Sequence, residues 1–174
     1  MPMDSLQTLT DSDFAWLAGI VDGEGSITAQ VIVKSDQRVR ITPFVHIGNT
    51  DQGIIGECVR VLTEAGIKHR IYAIPISDLG KLAGAQIRID GKPVKKLLLL
   101  IQPYLRSVKR TYAEKVLQYM AMREVGLFQH NEAGRIRRRE YSQAEVSLIS
   151  EVRTHKAGRS REEIMAAPNV SKVN

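Results

Sequence analysis

The side chains best placed to do chemistry are two carboxylates, Asp22 and Glu24, which alternate with glycines in the segment DGEG. They follow an apolar run at residues 14–21, which predicts a helix buried on every side and capped by one of residues 10–12. A carboxylate at a helix C-terminus faces the negative end of the helix dipole, so the arrangement is electrostatically unfavourable. Because local rules are most often broken at functional sites, this segment is the first candidate for an active site.

The sequence lacks the motifs of several other common functional sites. A single cysteine, Cys58, excludes an intrachain disulfide, and no cluster of cysteine and histidine has the spacing of a zinc site. No glycine-rich phosphate loop or nucleophile elbow is present. Residues 1–10 lack the features of a signal peptide, and the longest apolar run, residues 97–101, is too short to cross a bilayer. We therefore expect an intracellular protein without a membrane partner.

The charge balance points to a polyanionic partner. The chain has 174 residues, and 25 Lys and Arg exceed 19 Asp and Glu to give a formal net charge of +6. Such an excess favours nucleic acid first and an anionic membrane second, with an ordinary basic surface as the alternative. We therefore ask whether the predicted helices and strands offer a surface that suits nucleic acid.

The hydrophobic periodicity predicts an α+β fold. Residues 26–34, 38–47, 68–73 and 85–89 alternate apolar and polar side chains, as strands with one buried face do. Helices are predicted at residues 51–65, capped by Thr50 and ended by Gly66, and at 93–101, 109–125 and 142–155, with loops at 77–83 and 126–134. The order α, β, β, α, β, β, α predicts an antiparallel four-stranded sheet with helices on one face. Residues 1–155 form a single domain in this interpretation, followed by a polar tail at 156–174.

The solvent side of the predicted sheet carries mainly basic, amide and hydroxyl side chains. Arg and Lys hold phosphates or guanine edges, Gln reads adenine, and a β-ribbon fits the major groove. A plain solvated face is the alternative. We call the following set the polar strand face: Ser26, Thr28, Gln30, Lys34, Arg38, Arg40, Thr42, His46, Lys68, Arg70, Tyr72, Gln86 and Arg88. A further arginine cluster, Arg137, Arg138 and Arg139, is expected to contact the DNA backbone.

The segment LAGIVDGEGSI at residues 17–27 resembles the signature of the LAGLIDADG homing endonucleases, and the element order is similar to their αββαββα core with a saddle-shaped sheet. The resemblance covers residues 14–119 and contains one copy of the motif. Single-motif members of this family are homodimers. The resemblance therefore implies that the first helix packs against its twin along a stripe of small residues, which we predict to be Ala15, Ala18, Gly19 and Asp22.

The resemblance also implies a metal-dependent active site. Glu24 is the expected metal ligand, assisted by the main-chain carbonyl of Gly23, and Mg²⁺ suits such oxygen donors. Mn²⁺ is expected to substitute for Mg²⁺, and Ca²⁺ to support binding without cleavage. Asp22 is a second catalytic candidate, with capping or a backbone hydrogen bond as its alternative role.

Two further catalytic positions are implied by the family pattern. Asn49, at the end of the second strand, corresponds to a polar residue near the attacking water, with a turn or helix-capping role as the alternative. Lys109 corresponds to the basic residue near the scissile phosphate, with Arg106 as the second choice and a solvated basic loop as the alternative.

The resemblance implies a site-specific endonuclease that cuts a long pseudo-palindromic double-stranded DNA target and leaves 3′ overhangs. Two alternatives use the same basic surface: an RNA maturase that assists the splicing of an intron, and a DNA-binding regulator that has lost cleavage. Because members that have lost cleavage typically lack the acid of the motif, Glu24 argues against the regulator.

Overall fold

The computed structural model describes residues 9–75, 83–125, 128–130, 136–152 and 160–171, with the backbone alone for 128–130, 136 and 137. Of the predicted loops, residues 77–82, 126, 127 and 131–134 lie outside the described residues, whereas residues 128–130 form a strand and not a loop. The helices are α1 Asp11–Glu24, α2 Gln52–Glu64, α3 Lys92–Ile101, α4 Lys109–Glu124, α5 Gln143–Val152 and α6 Arg161–Met165. The strands are β1 Gly25–Val33, β2 Val39–Asn49, β3 Arg70–Ile74, β4 Gly84–Asp90, β5 Phe128–His130 and β6 Ile136–Arg138.

The four predicted strands form one sheet in the order β1-β2-β4-β3, which confirms the expected α+β architecture. Strand β3 pairs antiparallel with β4, so that Arg70 lies opposite Arg88 and Ile71 lies opposite Ile87. The apolar side of the sheet is buried, as the alternation predicts. Its buried residues are Ile27, Ala29, Val39, Ile41, Val45, Ile47, Ala85, Ile87 and Ile89.

Strand β3 departs from the sequence prediction. It begins at Arg70, so Lys68 lies outside the strand, and all five of its residues are exposed. Ile71, expected to face the core, is 52% exposed. The physical reason is its place at the edge of the sheet, where β4 is its one partner strand among the described residues. Alternation in the sequence does not show whether a strand lies at the centre or at the edge of a sheet.

Helix α1 also departs from the prediction, because it is buried on one face only. Leu17, Ala18 and Val21 have no exposed surface, whereas Ala15 and Gly19 are exposed and Trp16 is 36% exposed. The apolar run is continuous around the helix, so its periodicity could not tell which side would be covered. The predicted small-residue stripe is wrong at Ala18, which packs into the core of its own chain and offers no surface to a partner.

The described chain divides into two compact units, and each is built from two stretches of sequence. One unit comprises residues 1–26 and 45–107, and the other comprises residues 27–44 and 108–174. In the first unit, the core includes α2 and α3, which bury Ile55, Cys58, Val61, Leu62, Val94, Leu97, Leu98 and Ile101. No helix among the described residues is long and apolar enough to cross a membrane.

Residues 160–171, which lie within the predicted polar tail at 156–174, belong to the second unit. Ile164, Ala167 and Val170 are buried at spacings of three residues. The side chain of Asn169 pairs with the main chain of Val39, accepting from its N–H at 2.9 Å and donating to its carbonyl at 2.9 Å. The sequence prediction missed this docking because the segment contains few apolar residues and their partners lie 130 residues away.

Candidate active site

The DGEG segment joins helix α1 directly to strand β1. Glu24 is the last residue of α1, and Gly25 begins β1. A Cβ on Gly25 would lie 2.8 Å from both the Cα and the carbonyl oxygen of Val21. Because real Cβ atoms do not approach backbone so closely, only glycine lets the chain pass from helix to strand here without a loop.

Glu24 supplies an exposed carboxylate at the end of α1. Within the part of the chain that the structure describes, its side chain takes part in no hydrogen bond or ion pair. Gly23 lies in the last turn of the helix, where carbonyl oxygens have no intrahelical donor. Glu24 and Gly23 together offer the hard oxygen donors that Mg²⁺ prefers. No group of three or more Asp, Glu, His or Cys side chains within the described residues could hold a metal ion.

Asp22 is in a different state, because its carboxylate is bonded to its own chain. Oδ2 accepts hydrogen bonds from the N–H of Arg106 at 2.6 Å and the N–H of Ser107 at 3.3 Å. Oδ1 accepts from the hydroxyl of Ser107 at 2.6 Å. The structure thus supports the alternative role of a backbone hydrogen bond for Asp22, with its partners in the segment before α4.

Asn49 ends strand β2, as predicted, and also organises the turn into α2. Its Oδ1 accepts from the N–H of Asp51 at 2.9 Å. Asp51, and not Thr50 as predicted, caps α2 by accepting from the N–H groups of Gly53 at 2.7 Å and Ile54 at 3.1 Å. Gly84 packs so closely that a Cβ there would lie 2.7 Å from the carbonyl oxygen of Asn49. The start of β4 therefore helps to hold this residue in place.

The basic candidates lie on either side of the start of α4. Arg106 has an exposed side chain in the first unit, and Lys109 is the first residue of α4 in the second unit. Arg106 therefore belongs to the segment that Asp22 holds, and Lys109 follows that segment two residues after Ser107. Ser107 was not among the predicted site residues, and a serine in a loop gives no signal in the sequence that would have singled it out.

The arginines of β3 and β4 share one carboxylate. Asp90 accepts from Arg88 Nε at 2.7 Å and also forms an ion pair with Arg70. Burial of Asp90 acts to raise its pKa, but the hydrogen bonds from Arg70 and Arg88 outweigh it and lower the pKa. Arg70 also lies over the ring of Tyr72, 5.9 Å from its centroid. Both guanidinium groups are thus oriented on the polar strand face.

The arginine cluster divides into side chains with different roles. Arg138 is exposed, whereas the side chain of Arg137 lies outside the described residues. Arg139 donates to the fully buried carboxylate of Glu145 at 2.6 Å and to the carbonyl of Met122 at 3.1 Å. Arg139 therefore has a structural role, because the buried charge of Glu145 requires a partner. Its contact with DNA stays a prediction.

A basic cleft of about 380 Å³ lies in the second unit. Arg123, missed by the sequence prediction, stacks on Tyr141 with its guanidinium 4.2 Å from the ring centroid. Its helical position gives no sign of this contact in the sequence. The basic side chains that line the cleft are Lys34, Arg38, Arg40, Arg123, Arg138 and Arg139.

Residues 11–118 match the family model of the LAGLIDADG-like domain. The chain belongs to this family. It is 31% identical over 109 residues to the DNA endonuclease I-CvuI of Chlorella vulgaris. The match covers 60% of this chain and spans 62% of the length of that relative.

Solved structures of homing endonucleases share the fold of this LAGLIDADG-like chain. The structure of I-CvuI in complex with its target in the presence of calcium has a TM-score of 0.63 and 19% identity, covering 90% of this chain and 92% of that one. An archaeal intron-encoded homing endonuclease complexed with DNA has a TM-score of 0.61 and 15% identity, covering 90% of this chain and 94% of that one. At these identities the likeness shows the fold.

Proposed function

We propose that this chain is a site-specific DNA endonuclease that acts as a homodimer with a divalent metal ion. The observation that carries the proposal is Glu24: an exposed carboxylate at the end of α1 in a LAGLIDADG-like domain, with no hydrogen bond or ion pair to the described residues. The similarity to I-CvuI, a DNA endonuclease, supports the substrate class. The exposed cations of the polar strand face support it independently, because they match the charge of a DNA backbone.

A second copy of the chain would complete the site. The exposed side of α1 carries Ala15, Gly19 and Gly23, and a Cβ on either glycine would meet nothing within 4 Å in its own chain. The glycines are therefore not needed for packing in the protomer, while they would allow another backbone to approach closely. Pairing of two α1 helices would bring two Glu24 carboxylates together, and a divalent cation would offset their repulsion.

The residues present fit a magnesium ion. Glu24 and the carbonyl of Gly23 would hold it, since Mg²⁺ takes few ligands from protein and keeps several water molecules. When bound, the ion would activate water and stabilise the charge on the leaving oxygen. Crystal structures of the relative I-CvuI with DNA were obtained in the presence of calcium and of magnesium, which supports a divalent metal.

The remaining residues of the site position the substrate. Arg106 and Lys109 offset the charge of the scissile phosphate, and Asn49 orients groups near the attacking water. A two-fold symmetric dimer reads two equal half-sites, so the target would be pseudo-palindromic. Cleavage of both strands would leave 3′ overhangs, as the family resemblance implies. A DNA-binding regulator that does not cleave would use the same strand face, but it would not need Glu24.

The deciding experiment compares Glu24→Gln with wild type on a library of candidate DNA sites. Glu124→Gln is the matched control, because Glu124 is also the exposed last residue of a helix. We expect wild type and the control to cut with Mg²⁺ and only to bind with Ca²⁺. Glu24→Gln should bind with similar affinity and cut at least about 100-fold more slowly, because the ligand of the ion is lost. Cleavage by Glu24→Gln at the wild-type rate would refute the assignment.

A further inference from the structure

The two carboxylates of the DGEG segment differ in what they contact. Glu24 faces solvent, whereas Asp22 accepts three hydrogen bonds from residues that lie 84 and 85 positions further along the chain. An ionised carboxylate offers about four acceptor sites, and three of those on Asp22 are taken. This occupancy leaves little capacity for a metal ion, so the two acids do different work.

We propose that Asp22 is a positioning residue of the nuclease site, which fixes the main chain of Arg106 and Ser107 and so presents the basic side chains that follow from it. The inference deepens the proposed function and rests on it. Arg106 is itself one of the basic candidates, and Lys109 begins α4 two residues after Ser107. A displacement of this segment would move positive charge away from the scissile phosphate.

The energetics favour a specific contact over an incidental one. A carboxylate in the last turn of α1 is disfavoured by the helix dipole, and three donors compensate for this cost. Hydrogen bonds that involve an ionised group are about twice as strong as those between neutral groups. Arg106 and Ser107 are exposed, so burial does not hold their main chain in place. The carboxylate of Asp22 supplies a fixed anchor for this exposed segment.

The test combines a structural readout with a kinetic one. Amide hydrogen exchange measures whether the N–H groups of Arg106 and Ser107 are protected, independently of any activity. Single-turnover cleavage, DNA affinity in Ca²⁺ and the Mg²⁺ concentration for half-maximal rate then separate positioning from metal binding. The variants are Asp22→Asn, which keeps size and one oxygen, and Ser107→Ala, which removes the hydroxyl donor alone. Thr63→Ala, an exposed change on α2, is the control.

We expect Asp22→Asn to speed amide exchange at both positions and to slow cleavage by about tenfold or more, since small displacements of positioned groups are costly. DNA affinity and the half-saturating Mg²⁺ concentration should stay within about twofold of wild type. Ser107→Ala should slow cleavage less, and the double variant should be little worse than Asp22→Asn, because both changes act on one contact. Thr63→Ala should match wild type in every measurement.

Two results would overturn the inference. A several-fold rise in the half-saturating Mg²⁺ concentration of Asp22→Asn, with unchanged amide exchange, would make Asp22 a metal ligand. Amide exchange and cleavage at the wild-type rates in both variants would show that Asp22 has no positioning role. If wild type itself cuts no DNA, the proposed nuclease function fails separately, and unchanged amide exchange in Asp22→Asn would then overturn the anchoring of the loop as well.

Discussion

At the scale of single residues, the two carboxylates of the DGEG segment differ in what they contact. Asp22 is bonded to main-chain and hydroxyl donors, whereas Glu24, two residues later, faces solvent. The difference arises because successive helical residues point about 100° apart. Two residues apart, the carboxylates point about 200° from each other, so that one meets its own chain and the other does not. The proposed division into a positioning acid and a metal ligand follows from these contacts.

Asp13 gives a prediction for the dependence of stability on pH. It forms a capping box with Thr10, whose backbone N–H and hydroxyl donate to it at 2.8 and 2.7 Å, and it also accepts from Arg60 at 2.6 Å. The hydrogen bond from the Thr10 backbone, with help from the hydroxyl and Arg60, lowers the pKa of Asp13 to about 2. The ionised form is therefore preferred in the folded protein.

A depressed pKa adds stability above the unfolded-state pKa of about 3.9, and this contribution disappears as the pH falls through the folded-state pKa of about 2. We expect Asp13→Asn to be less stable than wild type at neutral pH, and the gap to close between about pH 4 and pH 2. Chemical denaturation across this range measures it. A gap that stays constant down to pH 2 would show that ionisation of Asp13 is not its cause.

At the scale of elements, the junction between α1 and β1 is the feature on which the candidate site depends. The helix passes into the strand without a loop, and the backbone of Val21 leaves no room for a side chain at position 25. The end of α1 is thereby fixed relative to the start of β1. The close approach of the Val21 backbone explains why the motif has glycine at position 25.

We expect Gly25→Ala to destabilise the protein by roughly 1–3 kcal/mol, because the added methyl group must displace backbone. Gly48→Ala is the matched control, since a Cβ on Gly48 would meet nothing within 4 Å. Urea unfolding of both variants measures the free energies of unfolding. Equal stability of the two variants would contradict the steric role of Gly25.

For the whole molecule, substitutions at two glycines can test the proposed dimer. Gly19 and Gly56 are both exposed glycines inside helices, and a Cβ on either would meet nothing in its own chain. Only Gly19 lies on the exposed side of α1 that the proposal assigns to the partner copy. The two positions therefore separate the effects of folding from those of association.

We expect Gly19→Leu to fold and to sediment as a monomer at micromolar concentration, and Gly56→Leu to remain a dimer. Replacing glycine inside a helix raises helix propensity, so neither variant should lose secondary structure by circular dichroism. The monomeric variant should also fail to cut DNA, since the site would hold a single Glu24. A dimeric Gly19→Leu variant would refute the proposed interface.

The sequence by itself determined the features that depend on local periodicity. Alternation in the four strands predicted the buried and polar sides of the sheet at most positions, because a strand exposes successive side chains on opposite faces. The DGEG motif placed the candidate active site at the end of the first helix. These signals lie within a few residues of one another, so no knowledge of the fold was needed to recognise them.

The tertiary structure alone decided which distant groups meet. The partners of Asp22 lie 84 and 85 residues away, and the side chain of Asn169 bonds to Val39 across 130 residues. It also decided that Ala18 is buried while Gly19 is exposed, because a helix that is apolar all round gives no preference for one side. Contacts of this kind depend on the path of the chain between the residues, and local sequence does not encode that path.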